Sequence, residues 1–284
     1  MFAILEYPFM QNALLTGTII AVIAAVMGYF LIARGLTFAA HALPNVGFAG
    51  AAGAVLLGLN PVFGLFVFTI GAAAAIGLPD SEARERDTSI GVIMTFALGL
   101  GFLFVSLYAG NAQQVYAFLF GQIVGITTQD SIITLAVGAS SLLCLAILYR
   151  PLLFSSFDPQ VAEARGLPVR ALSILFLVLV AIAVSLAVQI VGALFVFTLL
   201  VGPAATAVRI ASSPLRALLL AILLGVLYTT VGIYLAGESL YWPVSFFIAA
   251  ISFGVYLPVR LLSPRWRRPL RSPLDLPLME GKHV

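Results

Sequence analysis

Charged residues in this chain stand so far apart that their spacing alone constrains the fold. Residues 7–33, 35–79, 88–129, 131–149, 171–208, 217–237 and 239–259 contain no Asp, Glu, Lys or Arg. A hydrocarbon core ~30 Å thick is crossed by ~20 helical residues rising ~1.5 Å each, so every window can cross a bilayer at least once. The expected fold is an all-α polytopic integral membrane protein. A soluble domain carries roughly 25% charged residues, whereas this chain has 9%, with 62% hydrophobic residues and a mean hydropathy of +1.14. A single apolar stretch could be a buried helix; stretches recurring along the whole chain cannot.

The longer windows need internal breaks. Residues 35–79 divide at Gly58-Leu59-Asn60-Pro61, a turn sequence. Residues 171–208 would form a helix of ~57 Å, so a fold-back is expected near 189–192. Residues 88–129 hold one clear span, about 90–108, then a polar stretch, 110–114. The apolar piece at 115–126 is too short to cross and reads as interfacial or re-entrant. With spans near 13–33, 130–149, 217–236 and 242–259, the chain has nine transmembrane helices, or eight with a re-entrant piece around Gln189. Residues 1–6 contain no basic n-region or cleavage site, so the first helix is expected to remain in the mature protein.

Alternating sides from an external N-terminus places all 14 Lys and Arg residues on one side, with Glu6, Asp130 and Glu238 on the other. By the positive-inside rule the basic side is cytoplasmic, and so is the C-terminus. The pI of about 9.2 therefore reports topology, and no nucleic-acid partner is expected. Residues 1–262 form the expected transmembrane domain. Residues 263–284, rich in Pro and Arg, read as a cytoplasmic tail near anionic lipid. Cys144 is the single cysteine, which excludes a disulfide or a Cys-based metal site within the chain.

Residues 150–170 form a polar island. Asp158 before Pro159 is a helix N-cap with proline at the first helical position, and Gly166 with Pro168 supplies the stop. A short helix over about 158–166, between two spans, is either a solvated connector or a coupling element driven by a partner below it. The charge run at 80–87 alternates in sign and reads as solvated.

Within the membrane, His41 is the only histidine, and Asn45 lies one helical turn further on, so both lone-pair donors share a face. Pro44 between them lacks an amide proton and loosens the local ladder. Gly47, Gly50 and Gly53 permit close approach of another helix, in this subunit or a second. His41 is either a hydrogen-bonded core residue or, because ionisable groups are costly in lipid, part of a pathway.

Phe157-Asp158-Pro159-x-x-Ala162-x-x-x-Gly166-Leu167-Pro168-Val169 resembles the coupling region of permease subunits from the zinc and manganese uptake family of ABC transporters. So do Phe118-x-Phe120-Gly121-Gln122-Ile123-x-Gly125, Gln189-x-Val191-Gly192, Leu200-Val201-Gly202-Pro203-Ala204-Ala205-Thr206-Ala207 and Leu36-Thr37-Phe38-Ala39-Ala40-His41-Ala42. The resemblance runs from about Gly28 to Tyr256.

It implies a multi-pass protein of the bacterial inner membrane, working as a homodimer with a cytoplasmic ATP-binding subunit and an extracytoplasmic substrate-binding protein. The cargo would be zinc or manganese, with no cofactor held by this chain. It assigns coupling to Asp158, Pro159, Glu163, Arg165 and Gly166. It carries the metal path onto His41 and Asn45, where family members commonly have an acidic residue or histidine followed by histidine. A second acidic family position falls here on Tyr241, with Glu238 three residues away as a weak replacement. No G-x-x-x-x-G-K-[ST] loop occurs in the chain, so ATP hydrolysis belongs to another polypeptide and this chain is not itself an enzyme.

The rival readings keep the architecture and change the cargo to a metal chelate or small organic solute, or change the class to an ion-gradient transporter. The last expects intramembrane carboxylates for its coupling ion, and the spans contain none.

Overall fold

A computed structural model describes residues 8–78, 83–108, 110, 118–121, 126–239 and 242–262. These form helices joined by short turns, with no strand among the described residues. Ten helices are delimited among the described residues: α1 (Pro8–Ala33), α2 (Thr37–Leu56), α3 (Pro61–Gly77), α4 (Ala83–Leu107), α5 (Thr128–Phe157), α6 (Pro159–Ala164), α7 (Val169–Val191), α8 (Val196–Ile210), α9 (Pro214–Glu238) and α10 (Val244–Leu262). Seven of them, α1, α2, α4, α5, α7, α9 and α10, are long and apolar enough to span a membrane; α3 and α8 are shorter apolar helices.

Local chemistry sets most helix ends. The Asn60 side chain accepts from Val62 N at 2.8 Å, and Pro61 occupies the first turn of α3. Thr127 and Asp130 form a reciprocal capping box at the start of α5, Asp130 N donating to Thr127 Oγ1 at 3.2 Å and Thr127 N to Asp130 Oδ2 at 3.0 Å. The expected break at 58–61 separates α2 from α3, and Gly192 caps α7.

Two boundaries differ from the sequence expectation. The charge run expected as a solvated loop lies partly inside α4, which begins at Ala83. Helix α5 continues through Arg150 and Pro151 to Phe157, two turns past the expected membrane edge. In both places charge marks where lipid ends, while the helical hydrogen-bond ladder runs on into water. Most of the piece at 115–126 expected to be re-entrant lies outside the described residues, as do Tyr241 and the tail at 263–284.

The most enclosed helices are α1, α2 and α7; α4, α5 and α10 are peripheral. Helix α1 packs on α5, α7, α8 and α9, while α2 packs on α3 and α4 and α3 leans on α7. The α2 glycines act inside this subunit. A Cβ at Gly50 would run into the Gly64 carbonyl, one at Gly47 would meet Thr69 Cγ2 at 2.7 Å, and one at Gly53 would meet Phe104 at 3.1 Å. Hydroxyl pairs join the spans: Thr16 Oγ1 to Ser131 Oγ at 2.6 Å, and Thr69 Oγ1 to Ser185 Oγ at 2.8 Å. Outward-facing Phe96, Ile147, Leu223 and Phe253 are exposed; against hydrocarbon they are the solvated face.

Candidate functional site

The six-residue helix α6 forms because its ends are closed chemically. Asp158 Oδ1 accepts from Val161 N at 3.0 Å, and Pro159 needs no partner in the first turn. At the other end Leu167 N donates to Ala162 O at 3.1 Å and Gly166 N to Glu163 O at 2.8 Å, the paired bonds of a Schellman cap. That cap needs a left-handed residue, and Gly166 has φ +80°. Ala162 is wholly buried, whereas Val161, Glu163 and Arg165 face outward along with Phe157 just before the helix. The Arg165 guanidinium lies 5.6 Å from the Phe154 ring centroid, folding the end of α6 back onto α5.

Above α6 lies a cavity of about 450 Å³ lined by Arg34, Arg86, Arg170, Ser155, Ser156, Ser173, Pro159 and Glu163, among others. It brings together the ends of α1, α3 and α5 and the starts of α2, α4 and α7. Arg34 Nη1 donates to Ser155 Oγ at 2.9 Å, Arg34 Nη2 donates to Ser173 Oγ, and the guanidinium sits 5.8 Å from the Phe176 ring centroid. Burial, and secondarily the positive charge of Arg86, hold the Arg34 guanidinium below the usual arginine range. At the opposite end of the bundle, Asn12 Nδ2 at the start of α1 donates to Thr128 Oγ1 at the start of α5, at 3.3 Å.

His41 is half-buried in a cleft of about 280 Å³ lined by Thr37, Phe38, His41 and Phe197. Its ring meets Phe197 edge-on, with centroids 5.3 Å apart. It stands about 6 Å along the axis of α2 from Thr37, beside the helix end that follows Arg34; Asn45, about 12 Å along, is nearer the middle. Asn45 is 4% exposed. Its Nδ2 turns back to the His41 carbonyl at 2.8 Å, and its Oδ1 is buried without a hydrogen-bond partner. A buried unpaired acceptor costs about 1–3 kcal/mol, so this amide oxygen stands ready for a donor or cation. Glu238, the last residue of α9, is exposed and does not line the His41 cleft. No group of three or more His, Cys, Asp or Glu is gathered as a metal site among the described residues.

Sequence reasoning missed two features. The arginines of the cavity come from three separate connections, and no local pattern joins them. The motif at 118–121 meets the one at 189–192: Ala193 N donates to Phe118 O at 2.8 Å and Leu194 N to Leu119 O at 3.3 Å. Both motifs were visible in the sequence, and each has a glycine at positive φ, Gly121 at +80° and Gly192 at +83°; that shared need was the available signal.

Comparison with known proteins agrees with this architecture. The chain is 32% identical over 264 residues to the manganese import system permease protein ScaB of Streptococcus parasanguinis, covering 93% of this chain and 94% of that protein. It is 32% identical over 232 residues to the manganese transport system membrane protein MntC of Listeria innocua, covering 81% and 82%. The solved structure of PsaBC from Streptococcus pneumoniae in complex with Fab superposes with a TM-score of 0.81 at 30% identity, over 93% of this chain and 95% of that one. An inward-facing ABC transporter of the metal-chelate type shares the fold, with a TM-score of 0.72 at 18% identity over 89% and 87%. The pattern of the ABC 3 transport family matches residues 6–262, and the chain belongs to that family of membrane permeases.

Proposed function

We propose that this chain is the membrane-spanning permease subunit of an ATP-driven importer that moves a divalent transition-metal ion across the bacterial inner membrane. The observation that carries the reading is α6: a capped, outward-facing helix between two spanning helices, in an ABC-3 chain without a phosphate-binding loop. Exposed Phe157 and Val161 beside Glu163 and Arg165 give α6 the mixed apolar and charged surface that a cytoplasmic ATP-binding subunit can grip. Manganese is the first cargo to test, because the ScaB and MntC relatives carry manganese in their names; zinc is the second.

The full assembly pairs two copies of this chain with the ATP-binding subunit and an extracytoplasmic substrate-binding protein. In this assembly α3 and α8 cross with the seven longer helices, giving nine spans, or eight if the break at Gly192 leaves one re-entrant. The N-terminus is external and the C-terminus cytoplasmic. The gathering of Arg34, Arg86 and Arg170 around one cavity supports this arrangement, because positive charge stays on the cytoplasmic side.

The ion path runs past Asn45 towards His41 and out on the cytoplasmic side, with Glu238 near the opposite entrance. One imidazole and one amide oxygen per subunit hold a divalent cation weakly. Weak holding suits a conduit, from which the ion has to leave.

The test is ATP-dependent uptake of radiolabelled manganese and zinc by the complex reconstituted in liposomes, with His41→Ala in parallel. Uptake of manganese that falls in the variant is the expected result. Uptake unchanged in His41→Ala removes that residue from the path. A complex that hydrolyses ATP but moves neither ion carries a chelate instead.

A further inference from the structure

We propose that the cavity formed by Arg34, Arg86, Arg170, Ser155, Ser156 and Ser173 above α6 is a binding site for a phosphate-class anion, either an anionic phospholipid headgroup or free orthophosphate. Its placement on the cytoplasmic side rests on the topology proposed above; its chemistry does not.

Three guanidinium groups border one cavity, and among the described residues Glu163 is the only carboxylate lining it. No carboxylate among the described residues lies within ion-pair distance of any of the three arginines. Arg34 is held by hydroxyls and a ring face, which orient its charge without neutralising it. Arg86 donates one Nη2 bond to the Gly35 carbonyl at 3.3 Å, and its Nε is shut off from solvent without a partner. Arg170 donates from Nη2 to the Leu78 carbonyl at the end of α3.

Like charges brought this close repel, and an unpaired buried guanidinium N–H is expensive. A tetrahedral oxyanion answers both, since its oxygens accept forked bonds from arginine; Ser155 and Ser156 donate to the Leu152 carbonyl, while the Ser173 hydroxyl, which accepts from Arg34, can donate to the anion. The cavity of about 450 Å³ is many times the ~30 Å³ share of one water, so a phosphate group fits with hydration. Basic pockets between spanning helices at the cytoplasmic interface are where anionic headgroups settle in membrane proteins.

The site is tied to α6 through Pro159 and Glu163, so its occupancy bears on the helix proposed to meet the ATP-binding subunit. An anion there would brace Arg34 at the end of α1, Arg86 on α4 and Arg170 on α7 as one unit.

The test uses the permease co-purified with its ATP-binding subunit. Native mass spectrometry follows retention of phosphatidylglycerol against phosphatidylcholine, and a second arm measures binding of orthophosphate by equilibrium dialysis. The variant is Arg86→Gln with Arg170→Gln, both peripheral to the Arg34 network, and thermal unfolding confirms that it folds. The expected result is preferential binding of at least one probe by the parent, weakened about tenfold or more in the double variant. Phosphatidylglycerol alone identifies a headgroup site; orthophosphate alone identifies a free-anion site. Equal retention of both lipids with no orthophosphate bound, or undiminished binding by the folded variant, overturns the proposal. Loss of the ATP-binding subunit from the variant, with neither probe bound by the parent, also overturns it and assigns the arginines to an acidic partner surface. Metal uptake is measured separately, so failure of the anion site and failure of the transport reading stay distinct.

Discussion

The backbone amide of Ala193 donates to the carbonyl of Phe118 at 2.8 Å, joining the break between α7 and α8 to a segment far away in the sequence. Helix ends leave unpaired amides, and next to lipid these need protein partners. The contact is possible because Gly192 presents no side chain: a Cβ there would run into Gly121 N and Leu119 O.

Gly192→Ala is therefore expected to destabilise the protein by about 2 kcal/mol or more, combining a strained positive φ with a backbone collision. Gly71→Ala is the control, since nothing lies within 4 Å of its added methyl and alanine favours a helix. Thermal unfolding of both variants in detergent checks the difference. Equal stability would mean that the 118–121 segment moves aside freely.

Asp158→Ala removes the acceptor for Val161 N and weakens α6 by about 1 kcal/mol, whereas Asp158→Asn keeps a competent cap. Metal uptake in proteoliposomes is expected to fall severalfold in the alanine variant and to recover in the asparagine variant, with ATP hydrolysis persisting in both. Matching losses would show that the carboxylate charge, not the cap, is what the partner uses.

Asn45→Leu deletes the unpaired Oδ1, together with the Nδ2 bond to the His41 carbonyl, while keeping the branched outline of the side chain at a larger volume. If the amide were only a core residue, stability would hold or rise and transport would be unaffected. On the proposed path, stability holds while manganese uptake drops. Asn45→Asp is expected to lower the KM for manganese and also the maximal rate, because a carboxylate grips a divalent cation that must then be released.

Thr69→Val, Ser185→Ala and the double variant form a thermodynamic cycle across the α3–α7 contact. Coupling of about 0.6 kcal/mol is expected for one hydroxyl pair between spans, and no more than about 1.7 kcal/mol. Unfolding in mixed micelles measures it, and a value near zero would leave packing as the sole bond between these helices.

Much of the architecture was legible because it follows from neighbours in the sequence. Asn60 and Pro61 announce the start of α3, and Asp158, Pro159 and Gly166 bound α6 without help from the rest of the protein. Charge was read as the end of a helix, which shortened α4 at Ala83 and α5 at Phe157: a charged side chain leaves lipid, but its backbone can stay in the ladder. His41 and Asn45 share a face of α2, as i and i+4 require, yet the turn of the Asn45 amide back towards His41 O depends on packing around it. The convergence of Arg34, Arg86 and Arg170 depends on how three distant stretches of chain fold together, which no single window encodes.

At six residues, α6 is far below the ~12–15 that an isolated helix needs in water, so it takes its firmness from Asp158, Gly166 and the buried Ala162. A rod so short has no room to bend. Its two ends lead into α5, which leans on α1, and α7, which leans on both α1 and α3. On the proposed coupling role, displacement applied at Glu163 would reach two different parts of the bundle at once, with α6 as a crank whose throw is set by the caps that keep it from unwinding.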